Sequence, residues 1–130
     1  MRYVTLLAGV VGVAGIAGCA EGGYMRAEVI YAEPPAAVYD VRVDRAVGVC
    51  RDVLVSHGFV VYRVRSDGPN RILWARRGDD DVVRVFVSPQ GERVAVRTIH
   101  ESRDRDRRVW VRRDPPREVV GDIDVRLRMH

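Results

Sequence analysis

Beyond residue 36 the apolar positions switch between two spacings, and each spacing predicts an element. Ala37, Tyr39, Val41 and Val43 alternate with Val38, Asp40 and Arg42, the period of two expected of a strand buried on one face. Asp44 then stands where a helix N-cap is expected, its carboxylate placed to accept from the free amides of the first turn. From Arg45 to His57, Ala46, Val47, Cys50, Val53 and Leu54 recur at three- and four-residue intervals, and Gly58 follows as a C-terminal stop. This spacing predicts an amphipathic helix over 45–57, whose valines make it dependent on tertiary packing.

Four strand segments follow: FVVYRVR from Phe59, RILWARR from Arg71, VVRVFVS from Val82 and ERVAVRTIH from Glu92. Their separators SDGPN, GDDD and PQG are turn residues, and connections so short permit only antiparallel hairpins. VWVRR from Val109 is expected to pair back onto residues 93–100 as a fifth arm. In DPPREVVGDIDVRLRMH, Asp114 is the expected cap and Pro115 the first helical residue, with Glu118 in the first turn. Val119, Val120, Ile123 and Leu127 then share one side of a closing helix. The order β-α-β-β-β-β-β-α predicts an α+β fold, a two-layer sandwich in which two helices cover one face of an antiparallel meander sheet of five to six strands.

The N-terminus follows another pattern. Arg2 precedes the apolar run YVTLLAGVVGVAGIAG, which ends in small residues before Cys19, the layout of a secretory signal. At about 16 residues and rich in glycine, the run falls short of the roughly 20 that span a bilayer, so it is read as a leader that is removed. The tetrapeptide Ile16-Ala17-Gly18-Cys19 resembles the lipobox of bacterial lipoproteins. That resemblance implies cleavage between Gly18 and Cys19 and acyl chains on Cys19, the membrane anchor. Two or three chains hold a protein stably at about 0.8 kcal/mol per buried methylene, where one chain does not. Ala20 in place of aspartate after the cysteine resembles the class retained in the outer membrane of Gram-negative cells. The expected location is thus its inner leaflet, facing the periplasm. Residues 19–36, with Gly22-Gly23 and Pro34-Pro35, read as a tether, leaving 1–18 as leader and 37–130 as a single domain.

Composition changes this picture little. An apolar fraction of 47% and a charged fraction of 31% are those of a soluble globular domain. All 22 basic side chains are arginine. Two explanations stand: a GC-rich genome, or selection for planar bidentate recognition of phosphate and carboxylate. The net charge of +4 gives a general attraction to anionic surfaces.

Candidate chemistry is sparse. The chain has no HExxH, CxxC, nucleophile elbow or phosphate-binding loop, so an enzyme is disfavoured and no cofactor or metal is expected. His57 at a helix end is better placed for the last carbonyls than for a metal; His100 and His130 stand at a strand end and at the terminus. Cys50 shares the apolar helix face with Val53 and Leu54, which favours a buried thiol over an intermolecular disulfide. Asp79, Asp80 and Asp81 read as a solvated turn, since successive residues rarely converge on one cation, and Asp122 and Asp124, two apart on a helix, do not face each other. The run RDRDRRVWVRRD, Arg103 to Asp114, is the candidate contact surface. With Val109 and Val111 turned inward, Trp110 would project outward with Arg108 and Arg112, a binding combination. The competing view is a hairpin whose acids neutralise its arginines and whose tryptophan covers the sheet edge.

The lipobox, the helix ending SHGF, the meander and the last helix after DPP together resemble small envelope lipoproteins of Gram-negative bacteria, over roughly residues 38–128. The resemblance implies a location and a fold without a particular activity. The expected function is a non-enzymatic, lipid-anchored periplasmic module that binds another envelope component. The alternative is a binder of a small ligand or of an anionic envelope polymer, peptidoglycan or lipopolysaccharide, through the arginine hairpin. Nucleic acid is not an expected partner of an exported protein. In cells fed labelled palmitate, the wild-type chain should take up label and the Cys19→Ser chain should not; equal labelling contradicts the lipobox.

Overall fold

The computed structural model describes Met25–Arg26 and residues 35–129; the leader, the lipobox with Cys19, and His130 lie outside them. The elements are β1 (Met25–Arg26), β2 (Ala37–Tyr39), α1 (Val43–Ser56), β3 (Val60–Asp67), β4 (Asn70–Arg77), β5 (Asp81–Gln90), β6 (Arg93–Asp104), β7 (Val109–Arg113) and α2 (Arg117–Arg128). They form the α+β order expected, with one open sheet in the sequence β1-β7-β6-β5-β4-β3 and β2 paired beside β6.

Turn chemistry fixes the register. Gly68, at φ +61°, and Pro69 link Asp67 to its partner Asn70 in a two-residue hairpin, where a positive φ at the first position matches the twist of the flanking strands. Asp104 Oδ1 accepts from the amides of Asp106 and Arg107, both at 3.1 Å, and so shapes the four-residue turn between β6 and β7. These amides are the main reason its carboxyl is held below the usual carboxylate range, with the Arg107 charge adding to them.

Gly58 ends α1 as expected. At φ +86° it lets the Phe59 amide reach the Leu54 carbonyl at 2.9 Å while its own amide meets Val55 at 3.0 Å, a Schellman closure. The start of α1 differs from expectation. The strand stops at Tyr39, and the Arg42 carbonyl already accepts from the Ala46 amide at 3.0 Å, so Arg42 is the N-cap and Asp44 lies in the first turn. Helix α2 also begins later, after Pro116, instead of at Pro115. The residue before a proline is driven out of helical geometry, so two successive prolines delay the helix, and Asp114 cannot cap it.

The sheet differs in three places. Residues 101–104 extend β6, and β7 pairs with His100–Asp104 rather than with residues 93–100. The edge of Val94–Val96 is instead taken by β2. Met25–Arg26, inside the expected tether, pair in parallel with Val109–Trp110, so the sheet begins well before residue 37.

One core fills the space between the sheet and both helices. Ala46, Cys50, Val53 and Leu54 of α1 and Val119, Ile123 and Leu127 of α2 meet Leu73, Val83, Val85 and Val87 from the sheet. Among the described residues no helix is long and apolar enough to cross a membrane. Leu54 is fully buried and its neighbour Val55 is 58% exposed, which sets up a direct comparison. Leu54→Ala should cost about 2–5 kcal/mol in urea denaturation through the cavity it leaves. Val55→Ala should change stability by less than about 0.5 kcal/mol.

Candidate functional site

Both helices pack on the same face of the sheet, so every second strand residue faces the other way. That second face is organised by cross-strand register. Trp74 on β4 lies directly opposite Arg84 on β5 and Arg63 on β3, Phe86 on β5 opposite Arg97 on β6, and Trp110 on β7 opposite Arg103 on β6. Directly opposed side chains are near neighbours in a sheet, and an arginine beside a ring settles over it. The guanidinium carbons lie 5.1 Å from the Trp74 centroid for Arg84, 5.9 Å for Arg63, 4.9 Å from Phe86 for Arg97, and 5.1 Å from Trp110 for Arg103. A bulge between Val61 and Arg63 turns Tyr62 onto this face, 6.5 Å from Trp74 with Arg76 at 5.8 Å.

The face is strongly basic. Over the described strands β3–β7 it carries Arg63 and Arg65 on β3, Arg76 on β4, Arg84 on β5, Arg97 and Arg103 on β6 and Arg112 on β7, seven arginines against Asp67 and Glu101. The helices carry five arginines and five acids. Burial divides the face into two halves. Toward β6 and β7 it is closed: Glu101 is only 5% exposed and binds Arg84 at 2.9 Å, and Ile99 is buried beside them. Toward β3 it is open, with Val60 60% and Tyr62 47% exposed and Arg63, Arg65 and Arg76 at the surface. A guanidinium stacked on a ring keeps its N–H edge outward, a fork that matches carboxylate or phosphate oxygens. The open half can therefore hold anions. Beneath it the Trp74 indole N–H is buried with no hydrogen-bond acceptor among the described residues, an arrangement that costs stability.

The expected contact surface is only partly assembled. Trp110 does not project into solvent: it is 7% exposed and lies under Arg103. Arg112 shares its face, half-buried, whereas Arg108 sits apart in the turn at φ +57°. Val109 and Val111 do lie on the face opposite Trp110, but Trp110 sits on an inner strand, β7 between β6 and β1, and Arg103 lies over its ring. The hairpin also binds its own charge. Arg105 grips Asp80 through contacts of 3.0–3.2 Å, and Arg107 meets Asp104 at 3.1 Å. The basic surface thus lies on β3–β5, outside the arginine hairpin. The signal was present in the register of Trp74 with Arg84 and Phe86 with Arg97, which becomes visible once the hairpins are aligned.

The remaining candidates act as struts. His57 is the C-cap of α1, but its ring turns away from the last carbonyls: Nε2 meets Asp122 Oδ2 at 2.6 Å and joins α1 to α2. His100 has both ring nitrogens engaged, with Asp81 at 3.0 Å and the Asp114 carbonyl at 3.1 Å. Asp80 and Asp81 are therefore part of cross-links, not merely a solvated turn. Tyr39 donates to Asp124 at 2.9 Å, and Arg128 meets the same oxygen at 3.0 Å. The Arg128 guanidinium, with Tyr39 adding to it, lowers the Asp124 carboxyl below its ordinary range. A shallow depression of about 320 Å³ beside them is lined by Val38, Tyr39, Asp40, Arg93, Leu127 and Arg128. No group of three or more metal-ligating side chains occurs among the described residues. Compared with known protein families, curated proteins and solved structures, the chain matches none.

Cys50 is fully buried, and burial pushes its thiol up to about 12. Burial, then the hydrogen bond to Asp124, likewise raises the Tyr39 phenol. Both groups are neutral when protonated, so the unfolded chain ionises first as pH rises. Their contribution to stability is complete below the ordinary thiol range near pH 8.5 and is lost progressively toward about pH 12. The melting temperature should fall across that window, and Cys50→Ala, less stable at neutral pH, should show a shallower fall. An equally steep fall in Cys50→Ala would contradict the burial argument.

Proposed function

We propose that this protein is a non-enzymatic, lipid-anchored envelope protein whose uncovered sheet face binds an anionic envelope component. One observation carries the reading: seven arginines against two acids on a face that neither helix covers, beside a helical layer of zero net charge. The lipobox supplies the location, the outer membrane's periplasmic leaflet, and Cys19 the anchor. The arginine hairpin is a weaker candidate than the sheet because Asp80 and Asp104 already occupy two of its guanidiniums. A non-catalytic role is supported by the buried Cys50 thiol and by His100, whose ring nitrogens are both engaged within the fold.

The test compares two triple variants of equal charge on immobilised polyphosphate. Arg63→Gln, Arg65→Gln and Arg76→Gln together should lower the salt concentration needed for elution, because attraction through this face is screened over about 10 Å at 0.1 M salt. Arg51→Gln, Arg117→Gln and Arg126→Gln together, on exposed helix positions, should elute close to wild type. Equal shifts in the two variants would show that net charge alone matters and would contradict the reading.

A further inference from the structure

We infer that the component held by the open sheet face is the anionic phospholipid surface itself, so that the anchored domain lies with β3–β5 against the headgroups. This rests on the reading of that face as an anion-binding surface and of Cys19 as the anchor.

Chain length carries the first step. Because Met25–Arg26 are already paired in the sheet, only six Cα steps separate the lipidated Cys19 from β1, a reach of at most about 20 Å. A tether of residues 19–36 would allow the domain to stand well away from the membrane; with Met25–Arg26 paired in the sheet, an anchor at Cys19 keeps the β1 edge close to it. At about 4.8 Å per strand, β3 lies about 24 Å across the sheet from β1. A domain tied down at one edge and tipped onto its open face therefore reaches the bilayer with its whole width.

Chemistry selects which face turns down. The helical layer has no net charge to attract an anionic leaflet, whereas the open half of the sheet presents Arg63, Arg65 and Arg76 at the surface. Arginines act on headgroups within a Debye length, about 10 Å at 0.1 M salt, and the short tether lets β3 enter that range when the domain tips onto its open face. Tyr62 and Trp74 lie among these arginines, and amphipathic rings of this kind settle at the level of the headgroups. The exposed Val60 adds apolar surface at the same edge. The cations are spread over neighbouring strands of a sheet face and do not line a cleft, a layout that suits a planar partner. Acyl chains combined with a basic face form a two-part attachment in which the second part sets orientation.

The experiment reads tryptophan quenching in the lipidated, full-length processed protein, reconstituted into vesicles with brominated acyl chains. Phosphatidylcholine vesicles are compared with vesicles containing phosphatidylglycerol. Quenching is expected only on the anionic vesicles. It should be lost at high salt, in Trp74→Phe, and in the Arg63→Gln, Arg65→Gln, Arg76→Gln variant, while flotation with the vesicles persists throughout. Quenching in Trp74→Phe equal to wild type would place the contact elsewhere, and a floating protein with equal quenching on both vesicles, or with none, overturns the proposal. If the same triple variant still elutes early from polyphosphate, the anion-binding reading survives that failure; if it does not, both fall. Failure to float overturns the proposal at the anchor.

Discussion

Among the described residues, two helices cover one face of the sheet and the other is lined by strand side chains alone. That constraint governs most of what is distinctive in this protein. A single layer of helices buries Val83, Val85, Val87 and Leu73, and the alternate residues of the same strands must then coexist with water or with a partner. A purely polar outer face would satisfy water and would give the strands little to pack against. Here the alternate positions include rings and aliphatic side chains placed opposite arginines, so the outer face has apolar bodies with charged rims.

Arginine is suited to that arrangement. Its methylene stem covers apolar surface, its planar head stacks on an indole or phenyl ring, and its N–H edge remains available for an anion. Lysine would cover the stem area but could neither stack flat nor present a fork. The absence of lysine from the chain is accommodated structurally at Arg84, which lies against Trp74 and Phe86 while binding the buried Glu101. The face thus grades from a buried half around Glu101 and Trp110 to an exposed half around Tyr62, Arg63 and Arg76. Any anion contact concentrates on the second half, where desolvation is least complete.

The local elements were legible in the sequence wherever one residue type dictates backbone geometry or one periodicity runs long enough. Gly58 marked the end of α1, the spacing of Ala46, Cys50, Val53 and Leu54 marked its buried face, and the glycine-bearing separators marked the hairpins. The errors arose where distant segments decide the outcome. The strand pattern alone turns Trp110 outward, but Arg103 lies over it from across the hairpin, and β7 is made an inner strand by β1, two residues with no periodicity to announce them. Neutralisation of the arginine hairpin by its own acids is legible locally, as at Arg107 and Asp104, but Asp80 reaches Arg105 from a turn 25 residues away. Tandem prolines obscure the start of α2, which lies two residues beyond the position that Asp114 as cap implies. The candidate face itself spans five strands, and only their alignment shows that its arginines and rings coincide.

The most direct check on the one-sided sheet is covalent labelling of arginines with phenylglyoxal in the native protein, mapped by mass spectrometry over time. An uncovered face with a closed half predicts rapid modification of Arg63, Arg65 and Arg76 and slow modification of Arg84, whose guanidinium is enclosed between Trp74, Phe86 and Glu101. Protection of Arg63, Arg65 and Arg76 equal to that of Arg84 would contradict the account, because the surface assigned to the partner would then be occupied within the protein itself.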